Sequence, residues 1–219
     1  MRARAYLQHL QWQRWARSSK PILIGPWRSE LGFETLYWLP WLAAWRLKYK
    51  IARERLVILS RGGAGVWYDA PTVVDLYDYV PVEKIRQAML RDAQQTGSIK
   101  QYALTSWERT LLLLIAEDVG LRRYHLLHPS AMYRALTPWW EGQMGMTQAL
   151  TQLAFAPCPV PASPLSLPLP EKFVAVRFYA RHTWPMTEEL RVWTANLVDA
   201  IAKRVPVVVL TTSRDQDDI

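Results

Sequence analysis

The stretch Pro21-Ile22-Leu23-Ile24-Gly25-Pro26-Trp27-Arg28-Ser29-Glu30-Leu31-Gly32-Phe33-Glu34 decides the fold. Its apolar opening is too short for a helix and ends in a Gly-Pro breaker, so it reads as a buried strand running into a loop. Leu36 to Trp45 follows, apolar on nearly every face. That predicts a largely buried helix, which Pro40 either starts or kinks. Next comes Arg55-Leu56-Val57-Ile58-Leu59-Ser60, a second apolar run, closed by Arg61-Gly62-Gly63-Ala64-Gly65. Strand, loop, buried helix, strand and glycine loop is the order of a parallel α/β sheet.

The middle of the chain reads as mainly helical. Thr105 with Glu108 fits a capping box, Leu111, Leu112, Leu114, Ile115 and Val119 form an apolar face, and Gly120 is a natural stop. Tyr124 to His128 reads as a short strand, and Tyr133 to Phe155 as amphipathic and aromatic. Six prolines then fall between Pro157 and Pro170, a density no core element tolerates. Beyond them, Phe173 to Phe178 reads as a strand and Thr187 caps a helix opened by Glu188 and Glu189. Leu190, Trp193, Leu197 and Ile201 give that helix its stripe, and Val205 to Leu210 is the next strand.

The expected organisation is a basic aromatic segment over 1–20, a Rossmann-like parallel-sheet domain over 21–156 and a proline-rich linker over 157–171. The first β-α-β unit of a second Rossmann-like domain fills 172–219. A lone β-α-β unit cannot cover both faces of its sheet. The chain is therefore expected to stop inside its second domain.

Of the 219 residues, 50% are hydrophobic, and the formal charge is +8. Residues 1–60 hold 11 Lys/Arg against 3 Asp/Glu, while residues 61–219 hold 16 of each, so the excess lies wholly at the front. Arg2, Arg4, Arg14, Arg17 and Lys20 stand among Tyr6, Leu7, Leu10, Trp12 and Trp15 with no acid between them. A helix there suits an anionic membrane surface; a solvated leader or a helix docked on the main domain is the alternative. Charge alone allows nucleic-acid binding, but no recognition motif accompanies it. One Cys and four scattered His argue against disulfides and metal clusters. The most apolar stretches, Leu31 to Leu47, interrupted by Glu34 and Arg46, and Leu111 to Ile115, do not reach the roughly 18–20 apolar residues of a membrane span. The expected location is cytoplasmic, with peripheral contact at the inner membrane face.

Three segments carry candidate chemistry, each just past a predicted strand, where open α/β sheets bind ligands. In Gly25 to Glu34, glycines allow close approach, Arg28 can hold an anion and Glu30 can accept a proton from a hydroxyl. Alternatively Gly25 and Gly32 are turn residues and Glu30 pairs with Arg28. In Ser60 to Gly65, backbone N–H groups can form an anion nest; an ordinary glycine turn fits equally well. Asp69, Asp75 and Asp78 nearby read as solvated acids on a helix or turn. In Val176-Arg177-Phe178-Tyr179-Ala180-Arg181-His182, two guanidinium forks match a diphosphate. The alternative there is Arg177 paired with an acid such as Glu171 and His182 merely exposed. Neither G-x-G-x-x-G, nor a P-loop, nor G-x-S-x-G is present, and Cys158 has no histidine close in sequence.

Together, Ile22 to Glu34, Tyr37-Trp38-Leu39-Pro40, Ser60-Arg61-Gly62-Gly63, Trp67-Tyr68 and Val174-Ala175-Val176-Arg177 resemble bacterial glycosyltransferases of the GT-B type related to surface-polysaccharide enzymes. The resemblance spans roughly residues 20–219. It implies two Rossmann-like domains facing across a cleft, the first holding a glycan or small-molecule acceptor and the second a nucleotide-diphosphate sugar. It would put Gly25, Arg28, Gly32, Arg61, Gly62 and Gly63 in the acceptor-side loops and make Glu30 the base. Arg177 and Arg181 would neutralise the diphosphate leaving group. The fold usually works without a bound metal, so no cofactor beyond the donor substrate is expected. With most of a nucleotide-sugar domain lacking after Ile219, the 219-residue chain itself is expected to be inactive. The competing expectation is a non-catalytic α/β binding or scaffolding protein held at a membrane by its basic front.

Overall fold

The computed structural model describes residues 2–98, 100–156, 169–177 and 187–210. The chain divides into two compact units, Met1–Pro161 and Ala162–Ile219. The first unit opens with helix α1 (Arg2–Ala16) and strand β1 (Ile22–Ile24). After β1 come a single turn α2 (Leu31–Phe33), a π-helical turn over Glu34–Trp38 and helix α3 (Leu39–Tyr49). Strand β2 (Leu56–Ser60), a 3-10 turn over Ala64–Trp67 and strand β3 (Thr72–Asp75) follow. Helices α4 (Val82–Thr96) and α5 (Ser106–Asp118) lead to strand β4 (His125–Leu127), then α6 (Ser130–Trp140) and α7 (Met146–Leu150).

The four strands form one parallel sheet in the order β3-β2-β1-β4. Side-chain alternation along the strands splits the core in two. Ile22, Ile24, Leu56, Ile58 and Leu127 face Trp15, α3 and α6. Leu23, Val57, Leu59 and Val74 face Ile85 of α4 and Leu111, Leu112 and Ile115 of α5. Both faces are covered, so β1 and β2 are buried at every position and read as continuous apolar runs. Chain order also explains the sides. The crossover from β1 to β2 and the long connection from β3 back to β4 run in opposite directions, and a common right-handed sense puts their helices on opposite faces.

The α/β reading with a parallel sheet holds, and several local expectations resolve. Pro40 lies in the first turn of α3, directly after the π turn, where the hydrogen-bond pattern of the continuous helical run already changes. The capping box at Thr105 and Glu108 is present, with both reciprocal hydrogen bonds made. Gly32 is not a turn residue: it sits inside α2 at an ordinary backbone angle with open space beside it. β3 had no separate signal in the sequence, being only four residues long and half exposed.

The basic front forms α1 and docks. Trp15 is buried and stacks on His125 at 4.9 Å, and Trp12 meets Trp41, Trp45 and Tyr49 edge-on. His9 Nδ1 lies 2.7 Å from the Tyr49 hydroxyl, and Arg55 donates to the Trp15 carbonyl at 2.9 Å.

In the second unit, β5 (Val174–Val176), α8 (Glu188–Ala202) and β6 (Val207–Val209) form a parallel β-α-β unit. Thr187 caps α8 by accepting from the Leu190 N–H. Among described residues, no helix is long and apolar enough to cross a membrane. Phe178, Arg181, His182, Cys158, most of the linker prolines and the segment 211–219 lie outside the described residues.

Candidate functional site at the carboxyl edge of the sheet

In the order β3-β2-β1-β4, successive strands step one way from β1 and then return to its other side. The switch point therefore lies between β1 and β4, the place where ligands enter open parallel sheets. The loop leaving β1 is tied to both neighbours: Gly25 N–H donates to the Leu127 carbonyl at 3.0 Å and Trp27 N–H to the Leu59 carbonyl at 3.4 Å. The Gly25–Pro26 peptide is cis. Gly25 has φ +115°, and a Cβ there would stand 2.6 Å from the Leu59 carbonyl oxygen, so only glycine fits.

Beyond Gly25 the loop is anchored by a buried polar network. Arg28 Nε donates to Glu108 Oε1 at 2.8 Å and its Nη2 to Asp92 at 2.5 Å. Gln101 accepts from the Arg28 N–H and donates to the Pro26 carbonyl and to Glu108. His128 Nδ1 accepts from the Ser130 N–H, which leaves Nε2 to donate to Glu108 at 3.2 Å. The second oxygen of Glu108 takes the Thr105 N–H and hydroxyl. Burial opposes ionisation of Glu108, but the His128 hydrogen bond, with the charge and hydrogen bond of Arg28, outweighs it and holds the carboxyl well below the usual range. Arg28 is thus engaged by carboxylates of its own fold, and the alternative pairing of Arg28 with Glu30 does not form.

Glu30 instead lies half-exposed on the rim, 2.9 Å from Lys100 Nζ. That ammonium also stands 3.3 Å from the centroid of the Phe33 ring. Phe33 in turn contacts Trp140 and Tyr37, with centroids 5.7 and 4.9 Å away. Tyr102 packs on Tyr133 at 5.2 Å. The result is a partly exposed aromatic surface around one carboxylate–ammonium pair. Beneath it, Trp27 is stacked between Trp38 and Tyr133. Burial pushes the Tyr133 hydroxyl up to about 12, and that hydroxyl donates toward Ser29.

The loop after β2 joins the same edge. Arg61 Nη2 donates to the Ser29 carbonyl. The anion nest forms, and its occupant is internal. Gly62 and Gly63, both at positive φ, donate to the two oxygens of Asp75 at 3.0 and 2.9 Å. Asp75 also accepts from Tyr77 N–H, so it is a structural cap and not the solvated acid expected. Asp69 likewise is held by Arg46 and Arg53 at the surface.

Glu34 is the carboxylate that sequence reading did not single out. It is fully buried at the start of the π turn, a geometry enriched at functional positions. Tyr68 donates to its Oε1 at 2.5 Å, while Oε2 has no partner among the described residues. Burial raises the Glu34 carboxyl to about 7, against the pull of the Tyr68 hydrogen bond and the Arg61 charge. Ser60 Oγ, Arg61 Nε and Trp27 Nε1 are also buried and unpartnered among described residues. The motif Gly32-Phe33-Glu34 carried no sign of this, because the groups that bury Glu34 lie across the fold.

Arg177 is exposed just past β5 in the second unit, and Arg181 lies outside the described residues. No cluster of metal-ligating side chains occurs among the described residues. A separate hollow of about 580 Å³ flanks α3, lined mainly by apolar groups such as Leu39, Leu42, Trp67 and Phe155. Compared with protein-family models, curated proteins and solved structures, the chain matches none of them.

Proposed function

We propose that the protein is a glycosyltransferase of GT-B type, moving a sugar from a nucleotide-diphosphate sugar to a hydroxyl acceptor. The observation that carries this reading is the Glu30–Lys100 pair set in a partly exposed aromatic surface at the switch point of a parallel sheet. Sugar rings have apolar C–H faces and polar edges. Aromatic faces with a few fixed charges suit both.

In this reading Glu30 is the reachable base. It takes the proton of the acceptor hydroxyl as that oxygen bonds to the anomeric carbon. The bond from the anomeric carbon to the diphosphate breaks, and its electron pair leaves on the nucleoside diphosphate. Arg177 and Arg181 are assigned to that leaving charge. Arg28, Gln101, Glu108 and His128 act indirectly by fixing the loop that carries Glu30.

The test is nucleoside-diphosphate release by the full-length gene product carrying these residues, across a panel of nucleotide sugars and varied hydroxyl acceptors. Acceptor-dependent release from at least one donor supports the reading. No donor binding and no release across the panel would sink it.

A further inference from the structure

We propose that the outer side of α1 and the adjoining end of α3 form a docking surface for an anionic lipid bilayer. This inference stands apart from the transferase reading. The inner side of α1 is spent on the fold through Trp12 and Trp15, yet its outer side is not simply polar. Tyr6 and Leu7 are 62% and 64% exposed, and Leu47, at the end of α3, is 67% exposed. Tyr6, Leu10 and Gln13 recur at helical spacing and so share one stripe, and Arg17 follows directly after the end of α1. Large apolar side chains left in water beside cations are what an interfacial helix carries.

Between the two helices lies a cleft of about 280 Å³, lined by His9, Gln13, Ala16, Arg17, Lys48, Tyr49 and Lys50. It presents three cations and no carboxylate. Among described residues, no acid pairs with Arg14, Arg17, Lys48 or Lys50, whereas Arg46 and Arg53 nearby are tied to Asp69. Lys50, at φ +52°, is the left-handed cap of α3 and lines the cleft. The charge of the chain points the same way, since its whole excess lies in residues 1–60. An anionic headgroup layer meets such a patch with complementary charge, and the exposed Tyr and Leu side chains enter the acyl boundary.

Co-sedimentation of the full-length chain with vesicles tests this, comparing pure phosphatidylcholine with vesicles holding about 30% phosphatidylglycerol at low salt. Binding is expected only with the anionic lipid and should fade as salt shortens electrostatic reach. The variant Arg17→Glu/Lys48→Glu/Lys50→Glu should bind more than about tenfold more weakly, with unchanged circular dichroism. Should that variant misfold, Arg17→Gln/Lys50→Gly removes charge at exposed positions and relieves the left-handed lysine, and weaker binding is again expected. Tyr6→Ser/Leu7→Ser should weaken binding while leaving its salt dependence. Lipid-independent sedimentation, undiminished binding by the folded charge variants, or tighter binding to random duplex DNA than to vesicles would overturn the proposal.

Discussion

Glu34 and Glu108 lie on the same edge of the sheet and respond oppositely to burial. Glu108 collects five donor contacts and stays ionised, whereas Glu34 receives one hydrogen bond and keeps its proton to about pH 7. The signs of their pH effects follow. The unfolded chain releases the Glu34 proton near 4.5 and the folded chain near 7, so stability drains as pH rises between those values. The difference corresponds to about 3 kcal/mol. Glu34→Gln is therefore expected to raise the thermal midpoint at pH 8 and leave it nearly unchanged at pH 5; an equal shift at both would contradict this. Glu108 contributes stability above the ordinary carboxylate range that is lost as pH falls through the acid range. Glu108→Gln should cost about 3–5 kcal/mol at pH 7, because it leaves Arg28 buried with one carboxylate removed. Urea unfolding at pH 7 and pH 3 checks it, with the gap narrowing at the lower pH.

Single elements show how far local pattern reaches. The capping box of α5 was legible because its two residues are three apart and its reciprocal hydrogen bonds run between each side chain and the other's backbone. Thr105→Ala should cost about 1 kcal/mol by urea unfolding, and Thr105→Ser little. The strands β1 and β2 were legible because burial on both faces makes continuous apolar runs. The site was legible only in part. The loops after β1 and β2 follow from strand ends and glycines, and the structure brings Arg28, Glu30 and Arg61 to one edge. Their partners were not readable: Lys100 lies seventy residues from Glu30, and Asp92 and Glu108 reach Arg28 from separate helices. No local periodicity encodes such contacts. The docking of α1 was one of the readings left open, and Trp12 and Trp15 decide it. Trp15→Ala should destabilise the first unit by about 3 kcal/mol, seen as a lower urea midpoint.

For the first unit as a whole, the sheet and its two helical layers act as a frame that delivers loops to one edge. The buried network around Arg28 makes the Glu30 loop a fixed part of that frame, while Glu30 itself stays half-exposed. Under the proposed transferase reading, two carboxylates on this edge, Glu30 and Glu34, are candidates for the base, and they are separable. Once a donor and acceptor are found, turnover of Glu30→Gln and Glu34→Gln should be compared with the parent in the full-length protein. The expected result is a loss of about 10²–10⁴-fold in kcat for Glu30→Gln at unchanged thermal midpoint, with Glu34→Gln retaining most activity. Full turnover by a folded Glu30→Gln variant would contradict the account.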